Sequence, residues 1–162
     1  MNTERIESVE ALRTHIGHEI NLGKWVVVTQ EMVSLFAEAT GDRYFIHVDP
    51  ERAAKSVFGR TVAHGFFTLS MLAGFLVEDM DGLAVELPPG TNLNYGLNRV
   101  RFIAPVPVGS RIRVRIVLKD VSWDEAHTYV QIVREQTVEI EGAERPALVA
   151  ETVTRRYFQA AH

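Results

Sequence analysis

Val62-Ala63-His64-Gly65-Phe66-Phe67-Thr68-Leu69-Ser70-Met71-Leu72-Ala73-Gly74-Phe75-Leu76-Val77 is the most apolar run of the chain, interrupted only by His64, Thr68 and Ser70. It is shorter than the ~18 residues a membrane span requires. It reads as a buried helix from Gly65 to about Asp79, hydrophobic nearly all round and so placed in the middle of the molecule. Everything after it is strand text: Leu93 to Ile103, Arg111 to Val121, Thr128 to Glu141 and Ala147 to Phe158. In one of these, Ile112, Val114, Ile116 and Leu118 alternate with Arg111, Arg113, Arg115 and Val117, the period of a strand with one wet face. A central helix followed by antiparallel strands predicts an α+β domain with its sheet wrapped around that helix. The outermost strand would be an exposed edge, open to pairing with a second copy.

Upstream, Ile6, Val9, Leu12 and Ile16 recur at helical spacing behind Thr3 and ahead of Gly17, so residues 1–17 read as a short amphipathic helix. The text from Glu19 to Val28 is β-rich. Thr29 then caps a helix through Met32, Val33, Phe36 and Ala39 that Gly41 ends. Asp49-Pro50-Glu51-Arg52 supplies an N-cap and a proline at the first helical position. The stretch Asp81 to Gly90, with Pro88-Pro89-Gly90, reads as a connecting loop.

Composition bounds the function. The 162 residues form one domain's length, enough for a substantial apolar core without staples. With no Cys, zinc ribbons and disulfide scaffolds are excluded. A net charge of −4 argues against a general nucleic-acid binder, though a few Arg can still hold a small anion. The first twenty residues interleave charged and apolar positions and do not read as a signal peptide, so the expectation is a cytoplasmic protein with no membrane partner. No Gly-x-Gly-x-x-Gly, Walker-type loop or Gly-x-Ser-x-Gly elbow is present.

Two strings carry chemistry. In Gly41-Asp42-Arg43-Tyr44-Phe45-Ile46-His47-Val48-Asp49 a carboxylate and an imidazole share one loop, and both could reach a water or a substrate proton. Alone, Asp42 is equally a helix-end turn residue and His47 a satisfied polar group. Phe58-Gly59-Arg60-Thr61-Val62-Ala63-His64-Gly65-Phe66 leads straight into the apolar helix. The Gly65 N–H lies in a first turn, where amides lack internal acceptors, and could donate to an oxyanion while the missing side chain lets a carbonyl approach.

These paired strings, with Asn94-Tyr95-Gly96-Leu97-Asn98-Arg99-Val100-Arg101-Phe102 and Ala104-Pro105-Val106-Pro107-Val108-Gly109, resemble the MaoC-like dehydratases, the (R)-specific enoyl-CoA hydratases of the hot-dog fold, nearest their nodulation-protein-N-like branch. The resemblance runs from Val9 to Phe158. It implies a single hot-dog domain over residues 1–162 and reversible hydration of a trans-2-enoyl thioester to an (R)-3-hydroxyacyl thioester. It further implies catalytic roles for Asp42, His47 and the Gly65 amide, no metal and no cofactor beyond the coenzyme A or acyl carrier protein of the substrate, and a homodimer. Where the family carries Asn-Pro, or Gln-Trp in this branch, the chain has Tyr44-Phe45. That departure puts the acyl pocket and the hydrogen bonds orienting His47 in question.

Tyr44, Phe45, His64, Asn98 and Arg99 are candidate substrate contacts. His64 reads first as the maker of a structural hydrogen bond and second as a substrate-positioning residue. Asn94 and Asn98 either line the pocket or fix the strand, and Arg99 with Arg101, like the ladder Arg111, Arg113 and Arg115, grips phosphates or is a solvated sheet face. Asp49 reads as an N-cap rather than a ligand, and His15 and His18 lack the further ligands of a zinc site. The competing expectations are a hot-dog thioesterase, which would release free thiol, and a non-catalytic acyl-thioester-binding protein.

Overall fold

A computed structural model describes residues 4–124, 126 and 128–158. Along the chain lie β1 (Arg5–Ile6), α1 (Val9–Arg13), β2 (Glu19–Gly23), β3 (Val26–Val27), α2 (Gln30–Thr40), α3 (Phe45–Val48), α4 (Pro50–Ala53) and α5 (Gly65–Ser70). There follow a 3₁₀ turn (Met71–Ala73), β4 (Met80–Gly82), β5 (Ala84–Val85), β6 (Gly90–Phe102), β7 (Arg111–Trp123), β8 (Tyr129–Ile140) and β9 (Leu148–Phe158). The last four match the strands read from the sequence to within three residues at each end.

The main sheet runs β4-β2-β7-β8-β9-β6, with β3 also paired to β7, and all its pairings are antiparallel. Period two decides which side faces in. On β7, Ile112, Val114, Ile116 and Leu118 are buried while Arg111, Arg113 and Arg115 face outward and pair with Glu141, Glu139 and Glu19. The inner face packs with Phe67, Met71, Leu72 and Leu76 into one apolar cluster. This is the α+β hot-dog arrangement, a sheet closed around a central helical segment.

Three details differ from the sequence reading. The central helix is far shorter than Gly65 to Asp79: α5 ends at Ser70, tightens into the 3₁₀ turn, and stops at Gly74, whose φ of −153° and ψ of −103° leave the helical region. Glycine is a poor helix former, and here it interrupts a run that apolarity alone would have continued. The N-terminal helix does not span 1–17. Ser8, not Thr3, caps it, its hydroxyl accepting from the Ala11 N–H at 3.0 Å, and Arg5–Ile6 pair in parallel with Ala84–Val85. Thr3 lies outside the described residues. Lastly, the expected loop from Asp81 to Gly90 holds most of β4 and all of β5.

Among the described residues no helix is long and apolar enough to cross a membrane. The edge strand β6 is exposed along nearly its whole length, carrying Leu93, Tyr95, Leu97 and Phe102 in the open.

Candidate active site

The site is assembled at the end of α2. Thr29 caps its start, accepting from the Met32 N–H at 3.2 Å, and Gly41 ends it with φ +79°, a left-handed conformation that costs residues with a side chain about 1–2 kcal/mol. The turn at Gly41 leaves Asp42 exposed, its Oδ1 facing the Tyr44 N–H at 3.4 Å. One turn of α3 then carries His47 inward, to 9% exposure.

His47 is fixed from two sides. Its ring Nδ1 lies 2.7 Å from the Val62 carbonyl oxygen. A carbonyl only accepts, so Nδ1 carries the proton and Nε2 is left as the free nitrogen. Its backbone carbonyl accepts from Gln30 Nε2 at 2.7 Å, and Gln30 Oε1 in turn accepts from the Thr61 hydroxyl at 2.6 Å. Gln30 therefore ties α2, α3 and the segment before α5 into one frame. Sequence reasoning missed both Gln30 and Thr61, because a glutamine just inside a helix and a threonine in a loop carry no motif of their own.

His64 caps no amide; it is buried at 2% exposure, stacked on His47 with ring centroids 3.8 Å apart and planes 28° from parallel. Its Nε2 donates to the Asp42 backbone carbonyl at 2.9 Å, so the structural hydrogen bond is present. Its Nδ1 is buried without a partner. The ligand atoms of Asp42, His47 and His64 lie within 4.8 Å of one another. Burial holds the His47 imidazole below its ordinary pKa, and the neighbouring His64 pushes the same way; the Val62 carbonyl and the Asp42 carboxylate oppose. A carboxylate and two imidazoles are donors that a divalent metal accepts, and the backbone-carbonyl bond on one nitrogen of each ring leaves the other nitrogen as the donor atom. A carboxylate and an imidazole this close can also serve as an acid–base pair.

Gly65 opens α5 directly after His64. A Cβ there would sit 3.0–3.1 Å from the Phe102 ring, so any larger residue needs that ring to shift by a few tenths of an ångström. It lines a cavity of about 270 Å³ with Ala63, Thr68, Phe102, Ala104 and Val106.

Of the other candidates, Tyr44 is exposed and packs edge-on against the half-buried Phe45, over which the Arg52 guanidinium lies at 4.5 Å. Asn98 and Arg99 sit on the exposed edge strand, where Asn98 donates to the Glu151 carboxylate. The structure thus brings together Asp42, His47, His64 and Gly65 with the Tyr44-Phe45 turn, and leaves Asn98 and Arg99 on a separate element. The Arg111–Arg115 ladder faces carboxylates and, at Arg113, the Trp25 ring at 4.4 Å, as a solvated face does. Asp49 caps α4, accepting from the Arg52 N–H at 3.0 Å.

A sheet closed on a short helix whose N-terminus meets a carboxylate–imidazole pair defines a dehydratase class, and residues 11–140 match the MaoC like domain model. The chain belongs to the MaoC-like dehydratase family and is a hydro-lyase. It is similar to 3-hydroxyacyl-thioester dehydratase Z of Mycobacterium tuberculosis, 48% identical over 92% of this chain and 95% of the relative. It is also similar to nodulation protein N of Rhizobium leguminosarum bv. viciae, 45% identical over 91% of this chain and 89% of the relative. Among solved structures, the MaoC-like dehydratase from Rhodospirillum rubrum superposes with a TM-score of 0.70 at 17% identity, covering 90% and 94% of the two chains. The (R)-hydratase from A. caviae gives 0.64 at 21%, covering 86% and 94%.

Proposed function

We propose that the protein catalyses the reversible hydration of trans-2-enoyl thioesters, carried on coenzyme A or an acyl carrier protein, to (R)-3-hydroxyacyl thioesters. The observation that carries this reading is the commitment of His47 Nδ1 to the Val62 carbonyl, which leaves Nε2 as the free nitrogen of a ring that has a ligand atom within 4.8 Å of the Asp42 carboxylate. A water between the two is held by Asp42 and deprotonated at Nε2 while its oxygen bonds to the β-carbon. The π electrons move onto the thioester oxygen, and the Gly65 N–H, free of intrahelical acceptors, donates to the enolate. Collapse of the enolate takes the proton from His47 Nε2 onto the α-carbon, so the pair ends in the state in which it began. In the reverse direction the same groups remove the α-proton and expel water.

The reaction requires no redox step and, on this reading, no metal: rates should be unchanged after exhaustive chelation with EDTA. Phe45 and Tyr44, replacing the family's polar amide, would shape the acyl entrance. The apolar exposed edge of β6 supports a homodimer. The test is hydration of enoyl-CoAs of graded chain length, with chiral analysis of the product and a parallel assay for free thiol. An (R)-3-hydroxyacyl product without thiol release supports the proposal; thiol release without hydration would favour a thioesterase.

A further inference from the structure

On β8 the inward face reads Val130, Ile132, Arg134, Gln136, Val138, Ile140. Four of these are core residues, and the period-two register places a guanidinium and an amide in line with them. The neighbouring strand answers with Thr152 opposite Arg134 and Thr154 opposite Ile132, so a polar island sits inside the apolar face of the sheet. Arg134 donates Nη1 to the Thr154 hydroxyl at 2.8 Å, and among the described residues no carboxylate pairs with it. Burial pushes its pKa down to about 10, which still leaves it charged at neutral pH. Gln136 is 6% exposed and its Oε1 has no partner. Arg134 is half-buried, and a guanidinium held partly away from water without a carboxylate partner suits an anionic ligand.

Both side chains line a cavity of about 790 Å³, whose opposite wall is Leu69, Leu72, Val77 and Leu83. Asn92, Asn94, Tyr95 and Leu97 of β6 also line it. Leu69 and Ser70 belong to α5, so the cavity begins about 6 Å along the helix from Gly65. One monovalent cation in a cavity with an aliphatic wall suits one monovalent anion carried on a hydrocarbon body. A guanidinium fork matches a carboxylate, and the Gln136 amide can turn its Nε2 toward the same group.

We infer that this cavity is a binding site for a carboxylate borne on an aliphatic chain, gripped by Arg134 with Gln136, Thr152 and Thr154 around it. Resting on the hydratase reading, the carboxylate is the far end of an acyl thioester whose reacting end lies at Gly65; independently of that reading, it is the head group of a free fatty acid.

The experiment has two arms. In the first, wild type and Arg134→Met are assayed on medium-chain trans-2-enoyl-CoAs, each against the analogue of equal length that ends in a carboxylate. The wild type is expected to favour the carboxylate-ended substrate by about 10- to 100-fold in kcat/KM, with the preference lost in Arg134→Met and partly kept in Arg134→Lys. In the second, octanoate and octanol are titrated calorimetrically into the wild-type protein; octanoate binding alone, absent in Arg134→Met, assigns the site to free carboxylates. Turnover of plain enoyl-CoAs with neither a carboxylate preference nor octanoate binding overturns the inference while leaving the hydratase reading intact. Octanoate binding in a protein that hydrates nothing does the reverse. Should Arg134→Met fail to fold, the wild-type comparisons of octanoate with octanol and of the paired substrates decide the matter.

Discussion

At Asp42 and His47 one side chain is exposed and the other buried, and the two should fail differently when replaced. Asp42→Asn removes the carboxylate from an open turn, so kcat/KM is expected to fall by about 10²- to 10⁴-fold with melting temperature nearly unchanged. His47→Gln should lose as much activity and some stability, since it disturbs the buried bond to Val62. Because burial depresses the folded-state pKa of His47 below its unfolded value, the stability it contributes is fully present above the ordinary imidazole pKa. It declines as pH falls toward the lower folded value. The same depression keeps Nε2 unprotonated into mildly acidic solution, so the acid limb of kcat/KM should lie below the usual histidine range. His64→Gln removes the neighbouring imidazole that pushes His47 down, and a pH–rate profile should show that limb moving upward. The motif spacing made Asp42, His47 and Gly65 legible as candidates. It could not show which histidine nitrogen is free, because the tautomer is set by a carbonyl fifteen residues away, nor that His64 stacks on His47.

Helix α2 is held at its two ends by residues that cost about the same to lose yet touch the site unequally. Thr29→Ala removes a cap bond and should destabilise by about 1 kcal/mol while leaving kcat/KM within a factor of a few. Gly41→Ala should also destabilise by about 1–2 kcal/mol, but through the turn that aims Asp42, and the rate should fall with it. Thermal melts paired with kinetics on the two variants separate these outcomes. The caps were legible because Thr29, Gly41 and Asp49-Pro50 are local chemistry, and period two located β6 to β9 for the same reason. The length of α5 was not, since Val62 to Val77 is equally apolar throughout and only the backbone at Gly74 ends the helical path. Strands β4 and β5 were hidden too: three and two residues long, they are defined by their partners β2 and β1 and not by a pattern of their own. Arg134 and Gln136 stood in plain sight on an apolar face, but only the register with Thr152 and Thr154 shows that they face a cavity.

For the whole molecule, a net charge of −4 supplies no global field that would draw in an anionic ligand. The exposed apolar edge of β6 leaves unpaired backbone groups beside Leu93, Tyr95 and Leu97. A dimer mass at micromolar concentration is expected in light scattering, with Leu93→Lys shifting the protein toward monomer. On the proposed reading, sheet, helix and loop together serve one chemical task, the addition of water across a conjugated double bond by Asp42 and His47 beneath the Gly65 amide. The most direct measurement follows the loss of enoyl absorbance from trans-2-enoyl-CoAs in wild type, Asp42→Asn and His47→Gln, with the product resolved on a chiral column. The account predicts an (R)-3-hydroxyacyl-CoA from the wild type and a rate at least a hundredfold lower in each variant, in line with the usual worth of acid–base groups; an inert wild type, or a rate that neither substitution changes, would contradict it.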